Sequence, residues 1–167
     1  DSPDKIKVIN KQSKAFAEAI GGTPRGGTPV AATIEAVTDR VLSFDEPRAV
    51  ILATDGAPNC NPNATCAPHE CMINIFGECP PDIENCCEPP VGTPLNCVDR
   101  QRSVGAVLTL ANAGAPVYVV GIPGSEQFSH ILDQLAVVGG VAQQGADTYY
   151  YRVDDLDTLT DLFKGIA

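Results

Sequence analysis

No stretch of this chain approaches 18 consecutive apolar residues, so the sequence offers no membrane-spanning helix. Lysine and arginine are scarce: 11 stand against 21 aspartates and glutamates, a formal net charge of −10. That balance would repel a nucleic acid. It fits a soluble protein, and one that meets cations or basic partners. Residues 1–20 mix Asp, Lys and Gln with isolated apolar positions and do not read as a secretory leader. A mature or trimmed chain reads the same way, so this is no argument for the cytosol. Internal repeats are absent. So are three catalytic patterns. Ser125 follows Gly124 without a Gly-x-Ser-x-Gly elbow. The Gly-rich loop 21–27 meets neither Gly-x-Gly-x-x-Gly nor a following Lys-Ser/Thr. Cys86-Cys87 has no visible histidine-paired nucleophile context. His69 and His130 are far apart in sequence, and each reads as a surface or helix residue. The expectation is a non-enzymatic protein.

What is present is one domain's worth of chain, 167 residues with 44% apolar content, enough for a core. All seven cysteines fall in one segment: Cys60, Cys66, Cys71, Cys79, Cys86, Cys87 and Cys97. Such density among Pro and Asn reads as a disulfide-stapled loop and hence an oxidising, extracytoplasmic compartment. Zinc is the competing reading, but it wants two matched Cys pairs, and only Cys66 and Cys71 approach such a spacing. An odd count leaves one cysteine free or paired outside the chain. Three bridges could form in 105 ways: 7 choices of the unpaired residue times 15 pairings. Asn63-Ala64-Thr65 matches a glycosylation acceptor.

Helical spacing of Ala15, Phe16, Ala19 and Ile20 predicts a helix over 11–20, stopped by Gly21-Gly22. Thr28-Pro29 predicts a second helix start, Thr as N-cap and Pro at the first helical position. Val30, Ile34, Val37, Val41 and Leu42 then run down one face to about Phe44. The apolar run 49–53, ended by Asp55-Gly56, predicts a strand buried on both faces of a parallel sheet. The Cys-rich segment 57–97 reads as an insertion in a loop, since its apolar content is little more than Met72, Ile73, Ile75, Phe76 and Ile83. A helix over 98–113 carries Val104, Val107, Leu108 and Ala111 on one face and stops at Gly114. Further strands are expected over 117–122 and 148–153. Helices are expected around 128–135, before Gly139-Gly140, and from Leu156 to the end. Asp154, Asp155 and Asp157 stand where they favour the positive end of that last helix. Alternating helices and strands imply an α/β fold with a mostly parallel sheet. Ligands of such sheets bind at the carboxyl ends of the strands, where Asp55 and Gly121–Ser125 fall.

The runs GGTPVAATIEAV, RAVILATDGAPNC, GAPVYVVGIPG, LAVVGG and YYYRV, in that order, resemble the von Willebrand factor type A domain. The likeness is to secreted bacterial forms with a Cys-rich loop after the metal-site Asp, and it runs from about residue 10 to the end. It implies a Rossmann-like three-layer αβα sandwich and a metal ion-dependent adhesion site. In that site Thr28 and Asp55 match two of three ligand loops. The types suit Mg²⁺, or Mn²⁺ or Ca²⁺, which take hydroxyl, carboxylate and water oxygens. The third loop, Asp-x-Ser-x-Ser, is absent from the sequence, and Asp1-Ser2-Pro3-Asp4 is not that pattern. By this resemblance the chain is the C-terminal portion of a type A domain, without its first three strands. It would then need its N-terminal portion or a partner chain. The implied function is adhesion-type binding of a protein or cell-surface ligand through the cation. The alternative is a degenerate type A domain without metal, binding through the disulfide-rich loop.

Overall fold

The computed structural model describes residues 27–166. The helix expected over 11–20, most of the Gly-rich loop and Asp1-Ser2-Pro3-Asp4 lie outside the described residues. Helix α1 spans Val30–Leu42 and leads to strand β1, Val50–Thr54. A long excursion comes next, holding a short helix α2 at Met72–Ile75 between two 3₁₀ turns. Helix α3 is Arg100–Asn112, strand β2 Val117–Gly121, helix α4 Ser129–Val138, strand β3 Tyr151–Arg152 and helix α5 Leu156–Ile166.

The three strands form one open parallel sheet in the order β1-β2-β3, with Val50 opposite Val117 and Val120 opposite Tyr151. Mixed α/β architecture with a small parallel sheet is therefore present. The helical core packs on one sheet face; on the other Val120 is buried, whereas Ile51 and Ala53 are exposed. Val117 and Val119 of β2 meet Val107 and Leu110 of α3 and Ile131, Leu132 and Leu135 of α4 in a single core cluster. Burying each such side chain contributes about 1.5–3 kcal/mol. α1 joins the cluster through Val30, Ala31 and Ile34, with Val41 and Leu42 packed against it.

Four local expectations are corrected. β1 is not buried on both faces: Ile51 is 40% exposed and Ala53 is exposed too. Strand residues alternate between faces, so Ile51, Ala53, Tyr118, Val120 and Tyr151 share the side away from the helical core. Thr28 is not the N-cap. Pro29 holds that position without a side-chain cap bond, and α1 begins at Val30. The backbone of Thr28 is held elsewhere, by Asn59. On α3, Leu108 faces outward, and the buried stripe is Ser103, Ala106, Val107 and Leu110, one step from the expected one. Of the strand expected over 148–153 only Tyr151–Arg152 pairs. Its first half has other partners. Asp133 Oδ1 accepts the N–H groups of Tyr149 and Tyr150, and Gln143 binds both their carbonyls.

The start of α5 matches expectation, because Asp155 Oδ1 accepts the Thr158 N–H. Asp154 instead pairs with Arg152, which holds that guanidinium more firmly protonated.

The excursion between β1 and α3 forms a stapled lobe. Its bridges are Cys66–Cys97, Cys71–Cys87 and Cys79–Cys86, and Cys60 is the free thiol. The cysteines are the lobe's own small core: Cys71, Cys86, Cys87 and Cys97 are buried, with Ile73 and Ile83 packed against them. Met72 and Ile75 reach back to the main core.

Candidate functional site

Thr54 ends β1 inside the protein, and its side chain shapes the turn that leaves the strand. Its hydroxyl donates to the Gly56 carbonyl at 2.9 Å and accepts the Gly56 N–H at 3.2 Å. This closes a tight turn over Asp55 and leaves the Asp55 side chain exposed at the carboxyl end of the sheet. Among the described residues no hydrogen bond or ion pair engages the Asp55 carboxylate.

Thr28 is brought to the same turn although α1 and β1 lie between them in the chain. Asn59, buried just after the turn, accepts the Thr28 N–H on Oδ1. Its own N–H donates to the Thr28 carbonyl at 2.9 Å. A Cβ placed on Gly56 would stand 3.7 Å from Thr28 Oγ1, so the hydroxyl lies near Gly56, the residue after Asp55. Gly27 is required beside it. A Cβ there would come within 2.2 Å of Asn59 Oδ1 and 2.6 Å of Cys60 Sγ, closer than real contacts allow. The turn after β2 closes the other side: a Cβ on Gly124 would lie 3.2 Å from the Asp55 carbonyl, and Glu126 Oε2 accepts the Gly124 N–H at 2.9 Å.

The structure thus places Thr28, Asp55 and the 121–125 loop at one end of the sheet. As donors for a cation, the described residues offer one carboxylate and one hydroxyl, both hard oxygen groups. A magnesium-type ion is held by one or two carboxylates and keeps several waters, so this donor set fits one. Thr28 and Asp55 would hold it.

The seven cysteines divide as an odd count requires, three bridges and one free thiol. The bridges point to an oxidising compartment. The sulfurs of Cys66, Cys87 and Cys97 lie within 4.8 Å of one another. All three belong to disulfides, so they present no thiolate for zinc. Cys60 adopts φ 72°, rare for a side-chain-bearing residue. Its thiol donates to Asn59 Oδ1 at 3.1 Å, and its N–H donates to the Leu95 carbonyl. The free cysteine therefore lies one residue from the anchor of Thr28.

A polar cleft of about 700 Å³ opens elsewhere, at the start of α3, lined in part by Asn63, Glu70, Asp99 and Arg100. Some of its polar groups pair with one another. Arg100 pairs with Glu70, and Asn61 donates to the buried Asp99. His69 and His130 are both exposed.

Two contributors escape sequence reasoning. Asn59 carries no spacing signal linking it to Thr28. Phe128 lies in the core at 1% exposure, its ring edge within 4.0 Å of a Gly56 Cβ position. The exposed Phe76 of the stapled lobe packs edge-on against it, centroids 6.2 Å apart at 82°. Phe76 thus reaches the site from the lobe.

Comparison with protein-family models, with curated proteins and with solved structures finds no match to this chain.

Proposed function

We propose that this chain is an extracytoplasmic, non-enzymatic binding module of the type A kind. It takes a protein or cell-surface ligand through Mg²⁺, Mn²⁺ or Ca²⁺ held by Thr28 and Asp55. One observation carries the reading: the Thr28 hydroxyl lies near Gly56, next to the exposed Asp55, whose carboxylate has no partner among the described residues, at the carboxyl end of a parallel sheet. That is where ligands of open α/β sheets bind. A cation there supplies the electrophile that a partner's carboxylate coordinates. The protein's part is to fix the two donors, Thr28 through Asn59 and Asp55 through Thr54. The open sheet face around Ile51 supports the further reading that the fold is completed by its N-terminal portion or by a partner chain.

Calorimetric titration of Mn²⁺ tests this reading. The wild-type chain binds the ion; Asp55→Ala does not, yet melts within about 0.5 kcal/mol of wild type, as expected for an exposed side chain without partners. Equal Mn²⁺ binding by both proteins sinks the assignment. A second reading has its own support, in the exposed apolar side chains Phe76, Val91 and Leu95 of the stapled lobe. In it the lobe is the whole interaction surface and no metal takes part. EDTA then leaves ligand binding intact, and reduction of the disulfides abolishes it.

A further inference from the structure

The stapled lobe presents apolar side chains beside the Thr28–Asp55 turn and carries no lysine or arginine. Phe76 is 52% exposed although its other side rests on the buried Phe128. Its backbone is fixed: the Phe76 N–H donates to the Met72 carbonyl, and the bridges at Cys71 and Cys79 flank it on either side. An aromatic held from behind and open in front gives up little freedom on binding, the property of residues that dominate interfaces. Leu95, also of the lobe and 42% exposed, has its carbonyl bonded by the Cys60 N–H, next to Asn59.

Charge says what kind of partner fits. Between Arg48 and Arg100 the sequence contains no lysine or arginine. Of the carboxylates in that stretch, Glu70 is paired with Arg100 and Asp99 accepts from Asn61. Asp55, Glu78, Asp82, Glu84 and Glu88 are all exposed, and none has a cationic partner among the described residues. Such a surface repels anionic lipid and nucleic acid and attracts basic segments.

We infer that Phe76 is the apolar anchor of the binding face, with Leu95 a second exposed apolar side chain of the same lobe, and that its occupant is a polypeptide segment presenting an apolar side chain flanked by lysine or arginine. The inference rests on the proposed role of this end of the sheet as the ligand face. It is separable from the metal, because Phe76 touches neither Thr28 nor Asp55 through any polar group.

The probe is a fluorescein-labelled synthetic peptide of about a dozen residues with a central Phe-Leu pair between lysines, followed by anisotropy on the full chain at several salt concentrations. Two companions replace every lysine with Gln or with Glu. The lysine peptide binds, more weakly as salt rises, and the other two do not. Phe76→Ser weakens binding about fivefold or more, the loss expected for an interface anchor. Phe76→Tyr retains it. Glu78→Gln with Asp82→Asn and Glu84→Gln weakens binding and flattens its salt dependence. Thermal melts confirm that each variant folds, and Mn²⁺ titration of Phe76→Ser matches wild type. If Mn²⁺ does not bind at all but the peptide still depends on Phe76, the metal reading fails and the anchor stands. Equal binding of the Gln and lysine peptides overturns the proposal, as does unaltered binding by both Phe76→Ser and Leu95→Ser. A wild-type chain that sediments as a dimer and a Phe76→Ser chain that sediments as a monomer would assign the face to a second copy instead.

Discussion

Thr28 and Asn59 hold each other by two hydrogen bonds, the Thr28 N–H donating to Asn59 Oδ1 and the Asn59 N–H donating to the Thr28 carbonyl. Asn59 is buried, so this link is shielded from water and is the means by which a loop before α1 is kept on the turn after β1. Asn59→Ala leaves the Thr28 N–H without its acceptor, a cost of about 1–3 kcal/mol. It also frees the Thr28 hydroxyl from its place near Gly56. Urea unfolding reports the first effect and Mn²⁺ titration the second: both stability and affinity fall. Asn59→Asp keeps the acceptor oxygen and retains most of the stability. A destabilised Asn59→Ala with wild-type Mn²⁺ affinity would mean that Thr28 is not a ligand.

The three bridges differ in the length of chain they close: 31, 16 and 7 residues for Cys66–Cys97, Cys71–Cys87 and Cys79–Cys86. Loop-closure entropy makes their contributions about 3.7, 3 and 2.4 kcal/mol in that order. Paired Cys→Ser replacements, followed by denaturant titration, lower stability in the same order. Peptide mapping of the unreduced protein recovers these three pairs. Thiol titration of the unfolded, unreduced chain counts one group, and Cys60→Ser brings that to zero with little change in melting, since a hydroxyl can replace the thiol as donor to Asn59 Oδ1.

Much of this layout is legible in the sequence because it depends on local chemistry. The apolar runs that become β1 and β2, the Gly114 and Gly139-Gly140 stops and the Asp155 cap each signal within a few residues. So does the Asp55-Gly56 turn. The features that sequence does not announce depend on contacts across the chain. Thr28-Pro29 has every mark of a helix cap, yet a partner 31 residues away takes its backbone. Thr148–Tyr150 has strand composition, yet Asp133 and Gln143 occupy its polar groups before a neighbouring strand can. The β1 run is apolar on both faces because sequence records what a strand tolerates, whereas exposure depends on whether anything packs over Ile51. Phe76 stands in the sequence only as part of a thin apolar content. Nothing in the spacing of the lobe says that it leans on Phe128, because disulfide pairing sets its course.

Helix α1 is tied to α3 by Arg102, which pairs with Glu35 at the surface. Hydrogen bonding to the guanidinium draws the Glu35 carboxyl below its usual range, with a smaller opposing effect of desolvation. A carboxyl lowered by folding stabilises the native state above its unfolded pKa and loses that contribution as pH falls through the native one. The window therefore opens near pH ~4.3, the ordinary glutamate value, and extends downward. Glu35→Gln flattens the stability–pH curve in that window and leaves its shape near neutrality unchanged. Because the pair is exposed, added salt shrinks the difference between the two proteins. Melting curves from about pH 3 to pH 7 at low and high salt measure both effects.

Ile51 and Leu52 are neighbours on β1, and they put the one-sided packing of the sheet to a direct test. Leu52 is packed against the core cluster, and Ile51 points to the other face. Threonine at either position is a β-branched residue that strands favour, so the two replacements differ mainly in what the original side chain touched. Leu52→Thr removes core contacts and adds a hydroxyl that the core cannot satisfy, for a loss of about 2 kcal/mol or more. Ile51→Thr, at a side chain 40% exposed and outside the core cluster, costs less, about 1 kcal/mol or under. Denaturant unfolding of the two variants side by side gives the comparison. If the proposed N-terminal portion or partner covers the Ile51 face, the cost of Ile51→Thr in its presence rises toward that of Leu52→Thr. Near-equal costs in the 167-residue chain alone would mean that its own remaining residues, or a second copy, already bury both faces in solution.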